Sequence, residues 1–246
     1  MSELQPNTAK GKPARGIIGA VKSKIPWTPL TILTAGLAIY LWRTELDPRW
    51  PFVAGVILLT GQLLVRVPFA HRVGSVTVAR DAADRADLVI MYGVFLTMVV
   101  LPMLRLATPL LDRFDYSLPE TLALVGVALY LFGLWLFWRS HADLGRQWSA
   151  SLQIGEGHKL VTNGVYARIR HPMYSAIWLM IIAQPLLFQN WFAGPLAILA
   201  FGLLFVTRLP KEEAMMVETF GDEYERYKSR TGALTPKWGA ESPLFP

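Results

Sequence analysis

The residues best equipped for chemistry lie between His158 and Tyr174, in the stretch HKLVTNGVYARIRHPMY. Within it, Arg170, His171, Pro172 and Tyr174 stand at the start of a long apolar run. Pro172 suits the first turn of a helix, where its missing N–H costs nothing. A helix N-terminus flanked by Arg170 and His171 forms an anion site, suited to a carboxylate or a phosphate. Headgroup anchoring by a basic, aromatic juxtamembrane segment accounts for the same residues. A second group follows the apolar run: Arg208 and Glu212 stand four apart, with Glu213 beside them. They can pair with each other on one helical face. If the run is a hairpin, they also return to the side of His171, where the cation would hold an acidic substrate and the carboxylates a cationic one. Pro210 between them predicts a helix restart, with Arg208 just before its first turn.

Those residues need elements to position them, and the elements are membrane helices. More than half of the 246 residues are apolar, and the apolar runs approach bilayer length. A segment carrying Lys159, Arg168 and Arg170 cannot lie in hydrocarbon, so it belongs at a membrane surface or against a cavity. Apolar runs at Pro26–Trp42, Pro51–Val67, Leu88–Leu111 and Leu118–Trp138 predict four spans, with Arg105 placed to snorkel or pair near the end of the third. Residues 173–207 are too long for one span and are broken by Gln184-Pro185, Gln189-Asn190 and Gly194-Pro195. A helical hairpin turning near Gln189 and Asn190 is the simplest solution. After Arg208 an amphipathic helix broken at Gly221 is predicted, docked on the end of the bundle. The fold class is therefore all-α: a polytopic membrane helix bundle with a C-terminal hairpin and a cytosolic cofactor pocket. The expected organisation is a disordered basic tail over 1–25, four transmembrane helices over 26–138 and a functional core over 139–246.

Threading the spans alternately puts 20 of the 24 Lys and Arg residues on one side. The positive-inside rule then places both termini and the central stretch in the cytosol, and a bacterial inner membrane is the expected home. The net charge of +6 fits loops facing anionic lipid better than nucleic acid, for which no recognition element is present. The absence of cysteine excludes thiol nucleophiles and thiolate metal sites. The four histidines show no HExxH spacing, so no metal is expected. Gly155, Gly157 and Gly164 lack the context of a phosphate loop and read as loop flexibility.

Taken together, HKLVTNGVYARIRHPMY, the apolar hairpin and the RLPKEE…FGDEYERY tail resemble the membrane-embedded isoprenylcysteine carboxyl methyltransferases and the related phospholipid N-methyltransferases. The resemblance covers about residues 140 to 237. It implies methyl transfer from S-adenosylmethionine to a lipid or lipid-anchored acceptor (carboxylate, amine or thiol) arriving from the bilayer, at the cytosolic membrane face. By matching positions it also implies that Gln153, His158, Lys159, Leu160, Val161, Tyr166, His171, Pro172, Met173, Tyr174 and Glu212 contact the cofactor, and that Arg208 orients the substrate. Ser175 and Ala176 stand where relatives often have glycine. Two other classes remain: a sterol-reductase-like, NADPH-dependent membrane oxidoreductase, which shares a C-terminal hairpin, and a noncatalytic membrane scaffold.

Overall fold

The computed structural model describes residues 27–44, 49–73, 78–81, 85–145, 153–155 and 159–237. Helices α1 (Trp27–Arg43), α2 (Trp50–Val73), α3 (Arg85–Phe95) and α4 (Leu101–Ala107) are followed by α5 (Glu120–Leu144). The hairpin is α6 (Pro172–Phe188) and α7 (Leu196–Phe220), and α8 (Asp222–Arg230) follows the break at Gly221. The all-α expectation holds, with one small addition: β1 (Val78–Asp81) and β2 (Gln153–Gly155) pair as a short antiparallel ribbon. The tail expected to be disordered lies outside the described residues.

Arg85–Ala107 and Glu120–Leu144 are each long and apolar enough to cross a membrane, and Trp50–Arg66 and Pro172–Phe188 are shorter apolar helices. The outer surface carries Phe132, Trp135, Ile182, Leu199, Leu203 and Val206, all exposed. So extensive an apolar exterior suits lipid rather than water. The chain is a helical membrane bundle.

Helix α6 is apolar around its whole circumference and largely enclosed, with Ala176, Met180, Ile181, Ala183 and Leu187 all buried while Ile182 reaches the outer surface. Its principal partner is α5. The two approach closely because α5 offers glycine: a Cβ at Gly133 would stand 3.0 Å from the Ala176 carbonyl and 2.8 Å from Met180 Cγ. Close helix approach beside Ser175 and Ala176 is thus supplied from the opposite helix. Ser175 is used differently, its hydroxyl donating to the Leu234 carbonyl at 2.6 Å.

The predicted third span is not one regular helix. It widens into a π turn at Leu96–Val100, ends at Ala107 and continues as a 3-10 turn over Pro109–Phe114. The Met98 carbonyl within the π turn accepts from Gln184 Nε2 of α6 at 3.0 Å, which satisfies a buried group that hydrocarbon could not. At the far end of the bundle Arg105 pairs rather than snorkels: its Nε donates to Asp115 at 3.1 Å and its Nη1 lies 3.1 Å from Asp112. Asn190, in the hairpin turn, donates to the same Asp115 carboxylate at 2.7 Å, and Gln189 there adopts the left-handed conformation. One ionic cluster therefore pins the hairpin tip to the turn that follows α4.

Helix α7 runs unbroken through Pro210 to Phe220, so the predicted restart does not occur. Ion pairs either side of the proline hold the helix in register: Arg208 with Glu212 at 3.1 Å, and Lys211 with Asp87 of α3 at 3.0 Å.

Candidate active site

The start of α6 and the middle of α7 meet as the hairpin geometry requires. Tyr174, one turn into α6, donates its hydroxyl to Glu212 Oε1 at 3.0 Å, and Arg208 Nε donates to the same oxygen at 3.1 Å. The second Glu212 oxygen lies 3.7 Å from His171 Nδ1. Arg208 Nη1 also reaches Met91 Sδ of α3 at 3.3 Å. Arg208 and Glu212 pair with each other, and the Glu212 carboxylate stands beside His171.

Glu213 faces a different set. Its Oε1 accepts from Arg170 Nη2 at 3.0 Å and lies 3.3 Å from His171 Nε2, while Oε2 lies 2.9 Å from Lys228 Nζ of α8. The hydrogen bond with His171, then those with Lys228 and Arg170, hold the Glu213 carboxyl well below the usual carboxylate range against the opposing effect of burial. Arg170 also donates to the carbonyls of Lys228 and Thr231. The expected role of Arg170 in an anion site is therefore corrected: its guanidinium is committed to clasping α8. The backbone N–H groups of Arg170 and His171 are committed as well, to the carbonyls of Gly232 and Ala233 at 2.8 and 3.0 Å.

A carboxyl whose folded pKa is depressed contributes stability above its ordinary value of 4.5, and that contribution fades as pH falls toward the folded value. Glu213→Gln should lower the Tm followed by tryptophan fluorescence at neutral pH, and the gap to the unmodified protein should narrow progressively as pH falls below about 4.5. A gap independent of pH would show that charge at Glu213 is not what holds α8.

The loop before α6 is shaped by Asp143, which accepts from the Val165 N–H at 2.9 Å and pairs with Arg139 at 2.8 Å. Gly164 there has φ of 57°, and a Cβ would lie 2.2 Å from Asp143 Oδ2. This glycine is required by shape rather than for flexibility. Tyr166 follows; its hydroxyl donates to the Ser140 carbonyl at 3.3 Å, and its own carbonyl accepts from Tyr227 of α8 at 2.7 Å. Burial pushes the Tyr166 and Tyr227 phenols up, so both remain neutral donors.

These groups border a cavity of about 650 Å³, within the range of small-molecule sites. Lys159, Leu160, Val161, Tyr166, His171, Pro172, Met173, Tyr174, Arg208 and Glu212 all line it. Gln153 is placed by its backbone in the ribbon opposite Asp81, and His158 lies outside the described residues. The same cavity is also lined by apolar residues of α2, α3 and α7, among them Leu63, Phe95, Phe201 and Leu204, together with Met98 and Gln62. Gln62 accepts from the buried Tyr130 hydroxyl at 2.7 Å. No motif marks α2 and α3, and their apolar contributions are indistinguishable in the chain from lipid-facing residues.

Residues 125–218 match the model of the isoprenylcysteine carboxyl methyltransferase family, a stretch that contains the hairpin and every candidate site residue. The C-terminal core is thus similar in sequence to the isoprenylcysteine carboxyl methyltransferases. It is 30% identical over 128 residues to the fission yeast (Schizosaccharomyces pombe) protein-S-isoprenylcysteine O-methyltransferase, an alignment covering 51% of this chain and 53% of that protein. The human protein-S-isoprenylcysteine O-methyltransferase is 31% identical over 117 residues, covering 47% of this chain and 41% of the relative. The chain thus spans about half the length of these curated relatives. A solved structure of a eukaryotic intramembrane Ras methyltransferase, isoprenylcysteine carboxyl methyltransferase, shares the fold, with a TM-score of 0.53 and 21% identity over 85% of this chain and 75% of that one. Both curated relatives are eukaryotic, so the expected bacterial inner membrane finds no support in this methyltransferase-like kinship.

Proposed function

We propose that the protein transfers a methyl group from S-adenosylmethionine to a lipid-borne acceptor, with an isoprenylcysteine-type carboxylate as the favoured class. The observation that carries the reading is that one cavity is lined both by the charged group around Glu212 and by apolar side chains from three membrane helices.

The residues fit the cofactor. Glu212 offers a carboxylate to an ammonium or sulfonium charge, Lys159 offers a cation to a carboxylate, and Leu160, Val161, Met173 and Tyr166 supply apolar surface. His158 and Gln153 complete this set by the family resemblance. When bound, S-adenosylmethionine supplies an electrophilic methyl: the S–CH3 bond breaks as the bond from methyl to acceptor oxygen forms, leaving a neutral thioether and an ester, with no proton to move. The chain's own residues have correspondingly modest tasks. Tyr174 and Arg208 fix the Glu212 carboxylate by donating to one of its oxygens, which leaves the other oriented beside His171. Arg208, on the cavity wall beside Glu212, holds the acceptor's head. The apolar lining excludes water and takes the lipid tail. By the positive-inside rule, the basic loops favour the cytosol for this end of the bundle.

Titration calorimetry on the purified protein tests the reading. S-adenosylmethionine should bind with micromolar affinity and NADPH should not. Binding of NADPH alone would favour the reductase class, and binding of neither would favour the scaffold.

A further inference from the structure

Met91 lies on α3, outside the stretch that matches the family, and belongs to none of the motifs. Its sulfur is nevertheless placed against a functional group. Arg208 Nη1 donates to Met91 Sδ at 3.3 Å while Arg208 Nε donates to Glu212 Oε1 at 3.1 Å. Met91, Arg208 and Glu212 all line the cavity. The donors of a guanidinium form a rigid planar fork, so bonds to two side chains on different helices fix both the position of the group and the tilt of its plane. A single bond to Glu212, four residues on along α7, leaves that plane free to turn.

The sulfur is itself held in place. One turn earlier on α3, both oxygens of the buried Asp87 carboxylate accept from Lys211 Nζ at 3.0 Å. Lys211 follows Arg208 by three residues, so α3 and α7 run antiparallel here and are stitched at two successive turns, with hydrogen-bond acceptors on α3 and donors on α7. A thioether is a weak and neutral acceptor of hydrogen bonds. It steers the guanidinium without adding a second negative charge to that of Glu212, and so without repelling an anionic substrate head.

We infer that Met91 is a positioning residue: through its sulfur, α3 sets the plane of the Arg208 guanidinium and with it the angle at which a substrate carboxylate meets the methyl donor. The role rests on the methyltransferase reading above. A side chain that only fills space would serve equally well as leucine, which separates the two roles.

The test uses the full chain in nanodiscs with N-acetyl-S-farnesylcysteine as the carboxylate probe. Met91→Leu keeps the volume and removes the hydrogen-bond acceptor, so kcat for the probe should fall about fivefold or more. The Kd for S-adenosylmethionine should stay within about twofold, and the Tm within about two degrees, of the unmodified protein. Met91→Gln, whose amide oxygen can accept from Nη1, should recover at least about half of the loss. In the Arg208→Ala background Met91→Leu should cost nothing further, because residues that act as a unit are not additive. An unchanged kcat in Met91→Leu, a Met91→Gln no better than Met91→Leu, or losses that multiply in the double variant each overturn the assignment. A joint fall in Tm and cofactor affinity would make Met91 structural and likewise overturn it. If cofactor binds but the probe is not methylated, the probe must raise the Tm of the cofactor-loaded protein and do so less in Met91→Leu; equal shifts, or no shift in the unmodified protein, overturn the assignment. Failure of the unmodified protein to bind S-adenosylmethionine is a separate result, and it removes the methyltransferase reading itself.

Discussion

Glu212→Gln is expected to weaken S-adenosylmethionine binding by about 10- to 100-fold while leaving the fold intact. The reason lies in how the carboxylate is held. Both donors aimed at it, the Tyr174 hydroxyl and Arg208 Nε, converge on Oε1. A glutamine is expected to turn its carbonyl oxygen toward them, because the guanidinium cannot accept from an amide and the oxygen can accept from both donors. Its NH2 then takes the place of the free carboxylate oxygen beside His171. A cationic cofactor group would meet a neutral donor where it needs a charged acceptor, and a charge-assisted hydrogen bond is worth about 1.5 to 3 kcal/mol. The side chain is isosteric and both native donors stay satisfied, so Tm should move little. Calorimetric titration of both proteins reads the loss directly, and an affinity within about twofold of the unmodified protein would remove Glu212 from the cofactor site.

Arg208→Ala is expected to separate binding from turnover. Its loss removes one of two donors to Glu212 Oε1 but leaves Tyr174 in place, so cofactor affinity should change by only a few-fold. Methyl transfer should fall far more, by about a hundredfold or above, which is typical when a group that orients or stabilises charge at the reacting centre is lost. Arg208→Lys should recover little, since an ammonium cannot bond Glu212 and an acceptor in the same planar arrangement. Labelled methyl transfer measured at saturating cofactor checks this. Near-normal turnover would show that Arg208 serves only to position Glu212.

How far the chain announced this site depends on which residues are asked about. The hairpin turn was legible because Gln189 and Asn190 interrupt an apolar run that is too long for one crossing, and the turn stands there. The meeting of His171, Arg208 and Glu212 followed from the same reasoning, since two antiparallel arms return their ends to one face. Pro210 misled, because the cost of a proline in a helix is a local rule, and here ion pairs to α3 and within α7 outweigh it. Arg170 misled for a different reason. Its partners Glu213, Lys228 and Thr231 lie 43 to 61 residues away, beyond anything that periodicity reports. The π turn in the third span leaves no trace in the hydrophobic pattern, because every residue from Leu96 to Val100 except Thr97 is apolar.

The share of α2 and α3 in the cavity was hidden by the solvent itself. In a soluble protein an inward-facing residue is apolar and an outward-facing one polar, so the pattern shows which is which. In a bilayer both are apolar, and Phe95 and Met98 read no differently from Leu199 or Val206. Only the departures from that uniformity, Gln62 and Arg66, distinguish the cavity wall, and they do so only once the helices are assembled.

The bonds that tie Arg170 and His171 to Gly232 and Ala233, and Tyr227 to Tyr166, impose an order on biogenesis. The loop before α6 emerges from the ribosome before the hairpin, whereas the residues that clasp it emerge after both arms of the hairpin have been made. A nascent chain with every helix already in the lipid would therefore still lack a shaped pocket. Insertion and the acquisition of activity become two separate events, and quality control acting between them would meet a membrane protein that is fully integrated but chemically silent.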